Sequence, residues 1–164
     1  MQENSMLDFI KNVLEKIPAG WLGITTHRLD IYNESLAKTE FLDQFEALYI
    51  ANNVDPKALN DLPTAYDYIR LGHPLSCVLE WGIAHLNHLP IDNVISFSSE
   101  TMPLFAILRT NLLANKNTRI VYDSALPASF NETVLRAVYG YQFEMVQTAD
   151  ATQLAAFDGS TVFI

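Results

Sequence analysis

The sequence holds one cysteine, little glycine and proline, and no long apolar run. Cys77 has no second cysteine to pair with, so an internal disulfide is excluded. Six glycines and seven prolines among 164 residues, with 49% apolar residues, exclude a linker-like or disordered composition. The apolar runs stay shorter than the ~18 residues that a membrane-spanning helix requires. The composition therefore predicts a folded domain with a sizeable core.

Basic residues are also scarce. Ten Lys and Arg stand against nineteen Asp and Glu, which gives a formal net charge of −9. Because nucleic acids and anionic bilayers repel such a surface, we expect neither nucleic acid nor membrane among the partners. The first residues lack the basic start and apolar core of a signal peptide, so we expect a cytoplasmic protein.

Common catalytic signatures are absent from the sequence. It has no Gly-rich phosphate loop, no Gly-x-Ser-x-Gly elbow and no internal repeat. Cys77 occupies an apolar helical position, where a small hydrophobe is typical and a nucleophile requires a nearby base. His85 and His88 have the spacing of two metal ligands, but a third ligand is not evident, so we expect no metal site.

Helical periodicity dominates the first part of the chain. Apolar residues recur at three- and four-residue steps over 5–17 and 34–52. Asp55 and Pro56 open a short third helix, with the aspartate as its cap and the proline in its first turn. We therefore expect a helical N-terminal arm or clasp over residues 1–63.

Helices and strands alternate in the rest of the chain. Four helices, each followed by a strand, are expected in the order 75–86, 93–97, 101–113, 118–122, 127–139, 141–146, 150–157 and 161–164. Such alternation predicts right-handed crossovers and a mostly parallel sheet of about four strands covered by helices. The predicted fold class is α/β, with the arm and an α/β domain over 64–164 as one compact unit.

The stretch that precedes Pro74 is the most informative part of the chain. Tyr66, Tyr68 and Arg70 stand at alternate positions, and a segment that leads into a proline is pushed toward extended backbone. On extended backbone these three side chains share one face. Two phenols and a guanidinium suit a phosphate, but tyrosine and arginine are also enriched where subunits meet. Both interpretations stay open on spacing alone.

The pattern Tyr-x-Tyr-x-Arg-x-Gly-His-Pro, followed by a helix that carries Leu-Glu, resembles the cystathionine γ-synthase/γ-lyase family. These are pyridoxal-phosphate (PLP) enzymes of cysteine and methionine metabolism, and the resemblance covers residues 66–164. It implies a partial fold-type I PLP transferase in which Tyr68 and Arg70 hold the cofactor phosphate of the neighbouring subunit. It also implies that the N-terminal arm reaches over that subunit, so we expect a homo-oligomer, a dimer or larger.

Ser99 and Thr101 add to this expected site. They stand at the predicted start of a helix, where hydroxyl and N–H groups favour an anion. With Tyr68 and Arg70 they make up a vestigial phosphate site. Glu100 stands where the family has a glycine, and its carboxylate either repels a phosphate or simply complements the helix dipole. Glu100 and Asp123, at two strand ends, are also considered as an acid–base pair.

The sequence departs from the family at the residues that carry its chemistry. Leu126 stands where the family has a tyrosine that stacks on the cofactor ring. The family's Schiff-base lysine and its aspartate for the pyridinium nitrogen have no counterpart up to Ile164, and no lysine stands at a matching place among Lys11, Lys16, Lys38, Lys57 and Lys116. The chain should therefore lack catalysis, and PLP should bind, if at all, without a covalent aldimine.

Three hypotheses follow. The first is a non-catalytic, truncated relative that acts as an oligomerising or weak phosphate- or small-ligand-binding protein. The second is one half of a split PLP enzyme, whose lysine comes from a complementary PLP-domain chain. The third is an unrelated small α/β ligand-binding or interaction domain. In the family, the first strand of the sheet lies beside a late strand, which has no counterpart among the four strands expected here. The strand expected at 93–97 must therefore pair with the other three strands, with a second subunit or with a separate protein.

Overall fold

The computed structural model describes residues 2–23, 39–63 and 73–164. These residues form two compact units that divide between Ser96 and Phe97. The boundary expected near residue 63 stays a prediction, because residues 64–72 lie outside the described residues. Within the described ranges, no helix combines the length and apolar character needed to cross a bilayer.

The first unit is helical. Its described helices are α1 Gln2–Glu15, α2 Phe41–Ile50, α3 Pro56–Asn60 and α4 Pro74–Leu86, with single 3₁₀ turns at Ala19–Leu22 and Ile91–Asn93. Each longer helix buries an apolar stripe with three- or four-residue steps, and together they enclose one core: Met6, Phe9, Val13, Phe41, Leu42, Phe45, Cys77, Val78 and Trp81. The interpretation of Cys77 as a buried small hydrophobe is confirmed.

Local side-chain hydrogen bonds set where two of these helices begin. The Asp55 carboxylate accepts from the backbone N–H groups of Lys57 (2.8 Å) and Ala58 (3.4 Å), and Pro56 follows in the first turn as expected. The sequence did not identify the cap of α4. There the His73 ring Nδ1 accepts from the N–H of Leu75 (3.3 Å), and Pro74 occupies the first helical turn.

The second unit has α/β architecture. It contains α5 Met102–Leu113, β1 Thr118–Tyr122, α6 Glu132–Ala137, β2 Glu144–Gln147 and β3 Ser160–Phe163. The strands are parallel and lie in the order β2–β1–β3. In the sheet, Ile120 of β1 lies beside Met145 of β2 and Val162 of β3. These three side chains form a core with Leu104 and Leu108 of α5 and Leu135 of α6. The α/β class and the parallel sheet are confirmed.

The described sheet has three strands, so the expectation of about four was wrong. Residues 91–93 form a 3₁₀ turn, Val94 after it is extended, and residues 94–97 belong to no strand among the described residues. The reason is a bond to a helix. The Glu80 carboxylate of α4 accepts from the backbone N–H of Ser96 (2.8 Å) and from its hydroxyl (2.9 Å), which takes the place of a strand partner on that side.

Two helices of the second unit are shorter than predicted. The helix expected over 127–139 begins only at Glu132, because the Asn131 side chain caps it through the N–H of Val134 (3.0 Å). Its end agrees with the expected stop, since Gly140 adopts a left-handed φ of 73°. The helix expected over 150–157 is only the 3₁₀ turn Ala151–Gln153.

Candidate functional site

The structure describes two of the four predicted phosphate-site residues. Tyr68 and Arg70, like Tyr66, lie outside the described residues. Ser99 and Thr101 lie directly before α5 and are close to each other: their hydroxyl oxygens are 3.0 Å apart, and the Thr101 N–H donates to Ser99 Oγ (3.3 Å). We call these two side chains the hydroxyl pair. Because they bond to each other rather than to the helix, Thr101 does not cap α5 through its side chain.

The hydroxyl pair stands at the N-terminal end of a well-formed helix. α5 is 12 residues long, and its first turn is closed by the Phe105 N–H, which donates to the Thr101 carbonyl (3.1 Å). The N-terminal end of such a helix carries a partial positive charge. Pro103 in the first turn contributes no N–H, so an anion here relies on the hydroxyl groups more than at a helix start without proline.

A shallow aromatic groove with a cavity volume of about 100 Å³ opens beside Thr101 in the second unit. Its walls come from α5, α6 and the residues that flank these helices: Thr101, Leu104, Phe105, Ser129, Phe130, Asn131, Val134, Leu135 and Tyr139. The aromatic walls are held by ring contacts. Phe105 lies edge to face with Tyr139 (5.2 Å between centroids), and Tyr139 stacks on Tyr141 (5.8 Å). The groove thus offers a hydroxyl at one side and fixed aromatic surface elsewhere.

Acid–base chemistry has little support at this groove. No lysine, histidine or carboxylate is among the described residues that line it. Glu100 and Asp123 are both exposed, and within the described residues no hydrogen bond joins them. The arrangement therefore suits binding of a small molecule better than proton transfer.

Another polar cluster lies at the carboxyl ends of the strands. The Thr148 N–H donates to the Tyr122 carbonyl (2.9 Å), so β2 and β1 stay joined where they end. Asp150 follows, and its carboxylate accepts from the hydroxyl (2.6 Å) and the N–H (2.9 Å) of Thr152 and from the Gln153 amide (2.8 Å). These bonds, those from Thr152 above all, lower the pKa of Asp150. Its carboxylate is committed to a local turn, so it is not a free acid or base.

His85, on α4, contacts a carboxylate of α2. His85 Nε2 lies 2.9 Å from Glu46 Oε2, and the same oxygen accepts from the Trp81 indole N–H (2.5 Å). Among the residues that the structure describes, no three His, Cys, Asp or Glu side chains are placed to hold a metal ion. Glu46 was missed by the sequence reasoning because it lies on α2, 39 residues before His85, and no local pattern links the two.

Comparisons with models of known protein families, with curated proteins and with solved structures find no match to this chain. The function proposed below therefore depends on the contacts described above.

Proposed function

We propose that this chain is a non-catalytic relative of the PLP-dependent enzymes of cysteine and methionine metabolism. In this proposal it self-associates and binds a small, phosphate-bearing aromatic ligand weakly and without a covalent bond. The observation that carries the proposal is the hydroxyl pair, Ser99 and Thr101, at the start of α5 beside an aromatic groove. The resemblance of residues 66–74 to the motif of the PLP enzymes supports the choice of a phosphate-bearing ligand.

The phosphate end of the ligand is matched by the hydroxyl pair and the dipole of α5. Two hydroxyl groups 3.0 Å apart can both turn toward the oxygens of one phosphate, which accept strong hydrogen bonds. Glu100 lies between them in sequence and is exposed, so its negative charge opposes an anion at the same place. This opposition is the reason for expecting weak binding. By the resemblance, Tyr68 and Arg70 of a neighbouring copy are proposed to add to the phosphate contacts.

The ring end of the ligand is matched by the groove. Phe105 and Tyr139 are held by each other and offer apolar surface for a flat ring. Bound PLP would supply an electron sink for carbanion chemistry, and the enzymes that use it hold its aldehyde through a lysine amine. Since the described lining of the groove contains no lysine, the groove offers a surface for the ring but no amine to bond with the aldehyde.

Thr101→Val is expected to weaken binding of pyridoxal 5′-phosphate by about fivefold to tenfold. The substitution removes one hydrogen bond to a charged group, about 1–1.5 kcal/mol, and keeps the side-chain volume. Thr101→Ser is the matched control, because it retains the hydroxyl and should bind like the wild type. Glu100→Gln should strengthen binding about twofold to fivefold by removing the opposing charge. Isothermal titration calorimetry measures all four dissociation constants.

Fragments of the ligand test the phosphate end and the ring end of the site one at a time. Pyridoxal without the phosphate and inorganic phosphate without the ring should each bind more weakly than the intact molecule. Unchanged affinity of Thr101→Val for pyridoxal phosphate, or no saturable binding by the wild type, would contradict the ligand-binding part of the proposal.

A further inference from the structure

We propose that the segment 95–97 of one copy of this chain, which follows the extended Val94, pairs as an added strand with the outer edge of β3 in a second copy. This inference rests on the self-association part of the proposed function and identifies the surface that carries it. We call the two partners the free segment, residues 95–97, and the β3 edge, the side of β3 that faces away from β1.

The β3 edge has backbone groups directed outward. β3 lies at one side of the described sheet and pairs with β1 only. The N–H groups of Ser160 and Ile164 donate inward, to the Asn117 carbonyl (2.9 Å) and the Val121 carbonyl (3.0 Å). Because backbone direction alternates along a strand, the N–H and C=O groups of Thr161 and Phe163 point outward.

The β3 edge is also apolar. The Phe163 side chain is 60% exposed, and Ile164 beside it is exposed as well. No proline or lysine stands within β3, whose sequence is Ser-Thr-Val-Phe. These are the devices that commonly protect a sheet edge from another strand. An unprotected apolar edge is a site for strand addition.

The free segment has the complementary features. Val94 is buried with extended φ and ψ of −116° and 125°, and Ser96 is held by Glu80, so the even-numbered residues face their own unit. Ile95 and Phe97 are 67% and 42% exposed, and their N–H groups have no hydrogen-bond acceptor within the part of the chain that the structure describes. A β-branched residue and an aromatic residue at alternate positions are favoured in strands.

The two partners match in spacing and chemistry. Each offers two alternate residues whose backbone groups make no backbone hydrogen bond on the pairing side within the described residues, Ile95 and Phe97 on one and Thr161 and Phe163 on the other. Pairing would place aromatic and β-branched side chains across from each other, an arrangement that stabilises sheets. Every copy carries both partners, so a second copy supplies the complement of each of them. A second copy is therefore the occupant we propose.

Proline substitutions test this pairing without removing the contacts within one copy. Ile95→Pro and Thr161→Pro each delete an N–H that makes no bond to its own copy, and the residue before Ile95 is already extended, as a residue before proline must be. Each is expected to raise the dimer dissociation constant at least about tenfold. Ile95→Val and Thr161→Val, which keep the N–H, should dimerise like the wild type. Analytical ultracentrifugation measures the constants, and circular dichroism checks the fold.

A mixing experiment distinguishes this pairing from the direct pairing of two β3 edges. Ile95→Pro retains an intact β3 edge, and Thr161→Pro retains an intact free segment. A mixture of the two should therefore recover part of the association that each lacks alone. If Thr161→Pro proves unfolded, Phe163→Lys replaces it, because that side chain is exposed and a charge there blocks strand addition. Since each copy carries a net charge of −9, added salt should strengthen the wild-type dimer.

Contrary results separate this inference from the proposed function. A wild-type chain that stays monomeric at its highest soluble concentration overturns both the pairing and the self-association part of the function. Dimers that survive Ile95→Pro and Thr161→Pro unchanged overturn the pairing alone. Loss of dimers with Thr161→Pro but not with Ile95→Pro also overturns it, because two β3 edges would then pair with each other. The pyridoxal phosphate titrations measure ligand binding, so their outcome does not depend on any of these three results.

Discussion

Trp81→Ala is expected to lower the free energy of unfolding by about 4 kcal/mol, among the largest effects of any single substitution in this chain. Trp81 is buried on α4 and lies at the centre of an aromatic cluster. Its ring centroid is 5.2 Å from that of Phe45, 5.1 Å from Tyr49 and 4.4 Å from His85. Removal of the indole leaves a cavity between α2 and α4 that helices of fixed backbone cannot fill.

Trp81→Phe separates ring packing from the indole hydrogen bond. Phenylalanine keeps an aromatic ring but not the N–H that donates to Glu46 Oε2 (2.5 Å). Glu46 retains its contact with His85 and is partly exposed, so the loss should be limited to about 1–2 kcal/mol. Urea unfolding followed by circular dichroism measures both variants, with Trp21 as a second, fluorescent probe. A loss below about 1 kcal/mol for Trp81→Ala would contradict the described core.

Glu144→Ala is expected to destabilise the second unit by about 2–3 kcal/mol, although Glu144 itself is half-exposed. The reason lies in its partner across the sheet. The Arg119 side chain on β1 is only 10% exposed, and its Nε donates to Glu144 Oε1 of β2. The Arg119 guanidinium also donates to the Ala155 carbonyl (2.8 Å) and lies over the Phe157 ring, 4.3 Å from its centroid. Loss of the carboxylate therefore leaves a buried cation without its counter-charge.

The double substitution Arg119→Met/Glu144→Ala should be less destabilising than Glu144→Ala alone. Methionine fills much of the arginine volume beside Phe157 and needs no counter-charge, so the buried cation no longer opposes folding. The Ala155 carbonyl loses its donor, which costs about 1 kcal/mol and keeps the double variant below the wild type. Urea unfolding of the two single variants and the double variant completes a mutant cycle. A double variant less stable than Glu144→Ala would show that the arginine stabilises the sheet by itself.

Local patterns in the sequence predicted the helices and the parallel strands well. Asp55 with Pro56 marks the start of α3, and Gly140 marks the end of α6, because caps and left-handed glycines depend on neighbouring residues alone. The strand expected over 118–122 is β1, Thr118–Tyr122, whose β-branched and aromatic residues favour extended backbone. The α/β class follows from these elements.

Long-range contacts explain what the sequence did not predict. The segment 93–97 has the composition of a strand, yet Glu80, sixteen residues before Ser96, accepts its backbone N–H. Nothing local in the sequence indicates that this glutamate is turned inward. The link of Glu46 to Trp81 and His85 depends in the same way on how two helices pack. At the candidate site, the sequence placed Ser99 and Thr101 correctly at a helix start but gave no sign of the groove beside them.

The most direct test of the central claim is a search for a covalent cofactor bond. The 164-residue chain is incubated with pyridoxal 5′-phosphate, reduced with borohydride, and weighed by intact-protein and peptide mass spectrometry. We expect saturable binding before reduction, weakened by Thr101→Val, and no stoichiometric adduct afterwards, because the described lining of the groove holds no lysine. A one-to-one adduct on a single lysine would contradict the account and show a chain equipped for catalysis.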